Sequence, residues 1–267
     1  MRIALTGASG IVGGFVLRAA RAAGHQVTRL DRSSGFQLGD APDLSGHDAL
    51  IHCAFAHAPG RYRGGEGDDP DSFLRLNGDG TCRLFDAAVR DGLGRIVFLS
   101  SRAVHDGHPP GTALPDDLPP QPANLYGRVK ADAEAYLASL PIRRTAIRAT
   151  GVYGLPDKWR GLFDDFMADR PIPPRIATEV HGDDLAAAVL LLLAQPSPPV
   201  QINCSDLILD RHDLLAQVQA LTGCPHPLPD RADPAPLRVQ TCDRLRALGW
   251  QPGGMAKLRA TLPHLLC

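Results

Sequence analysis

Apolar positions follow two rhythms along this chain of 267 residues. Residues 2–5, 26–30, 49–54 and 95–99 are short apolar runs with the length and composition of strands. Between them, apolar residues recur at intervals of three and four. The first such set is Ile11, Val12, Phe15, Val16, Ala19 and Ala20, and the second is Leu76, Cys82, Leu84, Phe85, Ala88 and Val89. Ala131, Ala135, Tyr136 and Leu137 make a third. That spacing marks one face of a helix, so the alternation predicts an α/β chain folded as a doubly wound parallel sheet of about seven strands. Gly24 and Gly92 stand where the first two helices should stop. Residues 36–46 are too few for a crossover helix, and a turn or one helical turn is expected there. Residues 59–71 read as a polar, Gly-rich loop. The proline-rich stretch 105–123 reads either as a lid or as a passive surface excursion. The apolar run 185–194 is too short to span a bilayer and reads as a buried helix.

The first strand runs into Thr6-Gly7-Ala8-Ser9-Gly10-Ile11-Val12-Gly13. Strand, glycine turn and helix in that order suit a dinucleotide pyrophosphate. Glycines allow close backbone approach, and the helix start presents free N–H groups to phosphate. The spacing is G-x-x-G-x-x-G. Asp31 ends the second strand, about twenty residues on, where a carboxylate can accept hydrogen bonds from adenosine ribose hydroxyls. That favours NAD, since a 2′-phosphate would meet a negative charge. Arg32 beside it can clamp such a phosphate, as NADP would require, or can simply be solvated. Asp40 is placed either to approach the adenine or to serve a surface turn.

The run 95–99 ends in Ser100-Ser101, and ligands of open α/β sheets gather at the carboxyl ends of strands. Tyr126-Gly127-Arg128-Val129-Lys130 then opens a helix. Residues four apart share a helical face, so Tyr126 and Lys130 can converge on one point. The lysine charge favours the phenolate, which makes the tyrosine a usable acid/base.

Together these residues resemble the short-chain dehydrogenase/reductase superfamily, specifically its extended branch, the NAD-dependent epimerase/dehydratase family. The resemblance runs along nearly the whole chain. It also draws on Asn77 with Gly80-Thr81, on residues 147–154 (Ile-Arg-Ala-Thr-Gly-Val-Tyr-Gly), on His181-Gly182-Asp183-Asp184-Leu185-Ala186, and on Leu248-Gly249-Trp250. It implies a Rossmann-like domain of residues 1–151, rejoined by 177–203. A small substrate-binding lobe would come from 152–176 and 204–267. It implies that Ser101 polarises the substrate oxygen, that Tyr126 transfers its proton, and that Lys130 holds the nicotinamide ribose and biases the tyrosine. Cofactor contacts would come from Gly7, Ser9, Gly10, Ile11, Val12, Gly13, Asp31, Arg32, Asp40, Cys53, Ala54, Phe55, Asn77, Leu99, Tyr126, Lys130 and Thr150. Arg102, His105 and Arg231 are the substrate-side candidates, with a solvated loop histidine and a surface arginine as the plainer alternatives for the last two.

The departures are informative. Phe55 stands where a small residue is common. Arg102-Ala103 follow Ser101 where the sugar 4,6-dehydratases carry an Asp-Glu pair, which disfavours elimination chemistry. Arg231-Ala232-Asp233 is only a partial match to the family's pyrophosphate-gripping Arg-x-Gly-Asp.

Composition narrows the picture. A formal charge of −1 gives no electrostatic case for nucleic acid or an anionic membrane surface. No signal peptide is expected at the amino terminus, which reads straight into a strand, and six cysteines without a C-x-x-C pair suit neither a zinc site nor a redox dithiol. Reduced thiols in a cytoplasm, and no metal, are expected. The expected activity is hydride transfer between NAD, or NADP, and a secondary alcohol or ketone of a sugar, nucleotide sugar or keto compound. The rivals are a nucleotide-sugar epimerase with tightly held NAD and a non-catalytic NAD(P)-sensing regulator. The resemblance further implies a homodimer through the helices around 81–89 and 131–139, although core packing accounts for their apolar residues equally well.

Overall fold

Ile3, Ala4 and Leu5 of β1 (Arg2–Thr6) have no exposed surface. A strand apolar on both faces must be covered on both, and that requirement organises the fold. The computed structural model describes residues 1–58, 65–155 and 158–266, so part of the 59–71 loop and Cys267 lie outside the described residues. β1 leads into α1 (Ile11–Ala22), β2 (Gln26–Leu30), a 3-10 turn at Arg32–Ser34 and β3 (Ala49–His52). An interrupted helix follows, α2 (Pro70–Leu74) and α3 (Gly80–Arg90) joined by a π-turn at Arg75–Asp79. Then come β4 (Arg95–Ser101), a 3-10 turn at Arg102–His105, β5 (Ala113–Leu114), α4 (Leu125–Ser139) and β6 (Arg143–Ala149). The rest is β7 (Gly151–Tyr153), α5 (Arg160–Met167), β8 (Ile176–His181), α6 (Gly182–Ala194), β9 (Gln201–Cys204) and β10 (Leu207–Asp210). α7 (Arg211–Thr222), β11 (Val239–Gln240), α8 (Asp243–Ala247) and α9 (Gly254–Leu265) complete it.

The large sheet is wholly parallel, in the order β2-β1-β3-β4-β6-β9. It has six strands among the described residues where about seven were expected. A doubly wound sheet usually carries a further strand outside β2. Here the chain turns back after the 3-10 turn at Arg32–Ser34 and enters β3 directly, because 36–46 cannot hold both a strand and a crossover.

Strand parity sorts the two layers, as a period of two must. Ile3, Leu5, Ile51, Val97 and Ile147 pack with Phe15 and Val16 of α1 and with Leu185, Val189 and Leu192 of α6. Ala4, Leu50, Ile96, Phe98 and Ala146 pack with Leu84 and Phe85 of α3 and with Ala133 and Leu137 of α4. The core thus takes up most of the apolar residues considered above for a dimer face, and Tyr136 Oη donates to Asp86 Oδ1 at 2.5 Å.

A second, three-stranded sheet (β10-β8-β7) has its own core of Tyr153, Trp159, Phe163, Phe166, Leu209 and Leu214, joined by Leu258 and Leu262 of α9. Two stretches depart from the division into domain and lobe expected above. Residues 177–181 of β8 pair with β7 and β10 and not with the large sheet. Cys242, Leu245 and Trp250 join the core that contains Ile3 and Leu5.

The proline-rich stretch is tied down along its length. Gln121 N donates to Val104 O, and Gly107 N donates to Gln121 O. β5 pairs with β11, and Asp116 Oδ1 accepts from Asn203 N at 2.6 Å.

α6 starts tightly against α1, since a Cβ at Gly182 would lie 2.1 Å from the Phe15 ring. Gly182→Ala should therefore destabilise the protein by about 1–3 kcal/mol, the usual range for overpacking. Denaturant titration should show much of that loss recovered in a Phe15→Leu background.

Candidate active site

The glycine turn is shaped by the absence of side chains. Gly7 has φ +70°, in the left-handed region, and a Cβ there would lie 2.6 Å from Ala54 N. A Cβ at Gly13 would lie 2.0 Å from the Gly7 carbonyl oxygen. The turn therefore folds against both the start of α1 and the end of β3. Gly10 caps α1 with no side-chain hydrogen bond, and no acidic residue occupies the first turn. The opening N–H groups of α1, at Ile11, Val12 and Gly13, have no intrahelical acceptor, and the positive end of the helix dipole is not neutralised. That is a cradle for a pyrophosphate.

Asp31 ends β2 and caps the 3-10 turn, accepting from Ser33 N and Ser33 Oγ. Arg29 Nη2 lies 2.6 Å from its other oxygen. The Ser33 hydroxyl and Arg29 hold this carboxyl below the usual carboxylate range. Asp31 is thus an ionised acceptor, and Arg32 beside it is exposed. Asp40 Oδ2 accepts from Gln37 N at 2.7 Å, within its own turn.

Thr6 and Asn77 set the path of the chain beyond β3. Thr6 Oγ1 accepts from Cys53 N and Ala54 N and lies 2.7 Å from His52 Nδ1. With both N–H groups donating to it, the hydroxyl proton points to Nδ1, leaving Nε2–H for Thr81 Oγ1 at 3.1 Å. Burial, reinforced by the charge of Lys130, lowers His52 to about 3, so the ring is neutral. Asn77, buried in the π-turn, accepts from Ala56 N at 2.7 Å and donates to Ala56 O at 2.8 Å and Phe73 O at 3.0 Å. Burial pushes the Cys53 thiol up to about 12, so it is no nucleophile.

The end of β4 and the start of α4 meet next. Ser101 Oγ caps the following 3-10 turn, accepting from Ala103 N at 3.1 Å. Asn124 Oδ1 caps α4 through Gly127 N, and a Cβ at Gly127 would lie 2.4 Å from Ala103 O. Only glycine there lets the helix bring Tyr126 this close to the Ser101 turn. Lys130 is buried and donates to Leu99 O at 2.7 Å, its Nζ 4.6 Å from the Phe55 ring centre and 4.7 Å from that of Phe98. Tyr126 meets Phe55 edge to face at 5.0 Å. The tyrosine and the lysine therefore abut one aromatic ring. Burial brings the ammonium down to about 7, against the raising influence of Cys53 and Glu134. Its charge is therefore not constant through neutrality, contrary to what the spacing alone suggests.

The remaining candidates differ in burial and in their partners. Thr150, just past β6, is buried and its Oγ1 has no partner among the described residues. Arg102 pairs with Asp106 at 2.8 Å. His105, offered above as a loop contact, has no exposed surface, and its Nε2 lies 3.1 Å from Arg148 Nη1. Burial and then that guanidinium lower it to about 4. Arg231 forms a two-point pair with Asp213, at 3.0 and 2.6 Å, near the surface.

Sequence reasoning pointed Ser100 at the site together with Ser101, whereas its hydroxyl turns to Glu134, and it gave no chemical role to Glu134 or Arg148. The signal was present: an arginine inside the apolar strand Ala146-Ile147-Arg148-Ala149, and a glutamate one turn beyond Lys130.

Residues 3–158 match the model of the NAD dependent epimerase/dehydratase family. The chain belongs to that family. A dTDP-glucose 4,6-dehydratase of Streptomyces niveus is 31% identical over 208 residues, 63% of this chain and 60% of the relative. The chain thus spans about three-fifths of that relative's length. Among solved structures, the NAD complex of a Thermus thermophilus UDP-glucose 4-epimerase is similar over 99% of each chain, with TM-score 0.79 and 22% identity. A dTDP-4-dehydrorhamnose reductase from Clostridium acetobutylicum is similar over the whole of both chains, with TM-score 0.82 and 19% identity. These likenesses show a shared Rossmann-like fold. NAD is the cofactor of the family, and the side-chain-free turn, the uncapped start of α1 and the orphaned Thr150 hydroxyl fit such a group. No group of three or more His, Cys, Asp or Glu side chains is placed to hold a metal among the described residues. Nor is any helix there long and apolar enough to cross a membrane.

Gly13→Ala should weaken NAD binding about tenfold or more, because the turn must open to admit the methyl group. Titration of the apoprotein with NAD measures this. The buried histidines set an acid limit. The unfolded chain takes up a proton near 6.5, whereas folded His105 does so only near 4. Stability should therefore fall as pH drops through that window, by about 1.4 kcal/mol per pH unit for this group. In denaturation curves, His105→Gln should flatten that slope.

Proposed function

We propose that this chain catalyses NAD(P)-dependent hydride transfer at a secondary alcohol or ketone of a sugar or other small carbonyl substrate. The observation that carries the reading is the meeting of Tyr126 and Lys130 on Phe55, with the lysine held by the carbonyl of Leu99, two residues before Ser101. Gly7, Ser9, Gly10, Ile11, Val12 and Gly13 would hold the pyrophosphate, Asp31 the adenosine ribose, and Lys130 the nicotinamide ribose. Cys53, Ala54, Phe55, Asn77, Leu99 and Thr150 would form the wall behind it. Bound there, NAD would supply the hydride acceptor or donor for the carbon that bears the reacting oxygen.

In the oxidative direction Tyr126 takes the proton of the substrate hydroxyl while Ser101 Oγ–H holds the oxygen. In reduction the tyrosine returns the proton. Lys130 in its ammonium form stabilises the phenolate in a site from which Phe55 and Phe98 exclude water. The pair Arg102-Ala103 supplies neither the carboxylic acid nor the carboxylate that elimination would need.

The second reading, a nucleotide-sugar epimerase, draws support from the lobe. There a cavity of about 370 Å³ is lined by Lys158, Trp159, Arg175 and Arg211 with Leu209 and Leu214. Cations beside an aromatic wall suit a nucleoside diphosphate. Lys158 also ion-pairs with the buried Glu179. In both readings the lobe around β7, β8 and β10 would hold the part of the substrate that does not react. We further take Arg102 as the substrate-side residue nearest to Ser101 in the chain.

Freshly purified protein is to be denatured and the released nucleotide identified. NAD in near-stoichiometric amount supports the epimerase; an empty protein that binds NAD or NADP reversibly supports net oxidation or reduction. On the first substrate found among nucleotide sugars and small keto sugars, Tyr126→Phe should lower kcat by about 10²–10⁴-fold with little change in cofactor affinity. A Tyr126→Phe variant of full activity would sink the assignment.

A further inference from the structure

Arg148 lies at the end of β6 with no exposed surface, and Glu134 of α4 is nearly as deeply buried. Arg148 Nε lies 3.1 Å from Glu134 Oε1 and 3.0 Å from Oε2, and Nη2 lies 2.7 Å from Oε2. Nη1 donates to Asp116 O at 3.1 Å and faces His105 Nε2 at the same distance. A guanidinium has no lone pair to offer, so this ring nitrogen accepts, and the charge of Glu134 balances that of Arg148. Ser100 Oγ donates to Glu134 Oε1 at 2.5 Å.

Two consecutive residues of β4 are thereby tied to two consecutive turns of α4: Leu99 O to Lys130, and Ser100 Oγ to Glu134. Arg148 locks the second tie to β6. A buried ion pair adds little net stability over an apolar pair of the same volume, because desolvation offsets the attraction. What it adds is direction: hydrogen bonds from a rigid guanidinium to fixed acceptors specify one arrangement of β4, α4 and β6. That arrangement ends in Ser101 on the strand and Tyr126 and Lys130 on the helix.

We propose that Glu134, clamped by Arg148 and Ser100, is a positioning residue for Lys130, holding the lysine against Leu99 O and supplying the carboxylate one turn beneath it. The inference rests on the acid/base reading above. Lys130 faces Leu99 O and Phe98 from β4, the His52 imidazole, Cys53 thiol and Phe55 ring from β3 and beyond, and Glu134 from its own helix.

The chain holds three lysines, at 130, 158 and 257, so ¹⁵N-lysine labelling gives few signals to follow by NMR, and Lys130→Met assigns the one of interest. In wild-type apoprotein Lys130 should titrate near 7. Glu134→Leu with Arg148→Met removes the pair without stranding a charge, and the midpoint should fall by about one pH unit or more. Ser100→Ala takes one donor from Glu134, leaves both charges in place, and spares the core a large change. The carboxylate then acts more strongly on the lysine, and the midpoint should rise. Opposite shifts separate positioning from scaffolding, which would lower the melting temperature of both variants and leave the Lys130 midpoint where it was. Should the double variant not fold, the sign of the Ser100→Ala shift still decides. A wild-type Lys130 whose signal ignores added NAD would instead overturn the acid/base reading itself. A responsive wild type with unshifted variants overturns this inference alone.

Discussion

A guanidinium with no exposed surface has to be neutralised where it lies, and that need shapes the centre of this fold. Arg148 stands on β6, between β4 and β9 in the sheet. Neighbouring strands offer carbonyls that are already committed to the ladder. The carboxylate comes from α4, which must therefore cross β4 and β6 at the height of Arg148. Once Glu134 is fixed there, helical geometry places Lys130 and Tyr126 one and two turns toward the amino end, above the carboxyl ends of the strands. The site is the far end of a lever whose fulcrum is a buried ion pair.

Across the sheet the other half of the site is made by omission. Gly7 and Gly13 bring a turn, a helix start and the end of β3 within distances that no side chain permits. The result is a cluster of N–H groups with no acidic side chain in the first turn of α1, and Asp31, at the tip of β2, is oriented by Arg29 and Ser33. Around Lys130 the balance is similar. His52 is held neutral, Cys53 stays a thiol, and the ammonium lies between two aromatic rings, so an arriving ligand meets dipoles and one titrating cation. Preorganised dipoles of this kind cost nothing to reorient during a reaction.

The lobe follows a different logic. Its core of Trp159, Phe163, Phe166 and Leu258 is separate from the two cores of the large sheet, yet only Thr150 separates β6 from β7, and α6 follows β8 directly. These are two of the junctions between the two sheets. At the second, Gly182 lies against Phe15 of α1, close to the glycine turn in the chain.

Local signals in the amino-acid sequence were enough for the first four strands of the large sheet, for α1, α3, α4 and α6, and for the glycine turn, because each depends on periodicity or on a spacing within one element. The shortness of 36–46 was legible too, but the loss of an outer strand that follows from it was not: about seven strands were expected and six form among the described residues. What that reading could not weigh was environment. His105 resembled a loop histidine, but the stretch that carries it is pinned to β9 and β11, and the ring lies inside. Arg231 was a substrate-side candidate with a surface arginine as the plainer alternative, and its partner, Asp213, lies eighteen residues away. Lys130 looked like a fixed positive charge until burial brought it down to about 7. Ser100, Glu134 and Arg148 lie on three different elements, and only their packing joins them. Periodicity is encoded residue by residue along the chain, whereas desolvation and charge balance arise only when distant segments exclude water from one another.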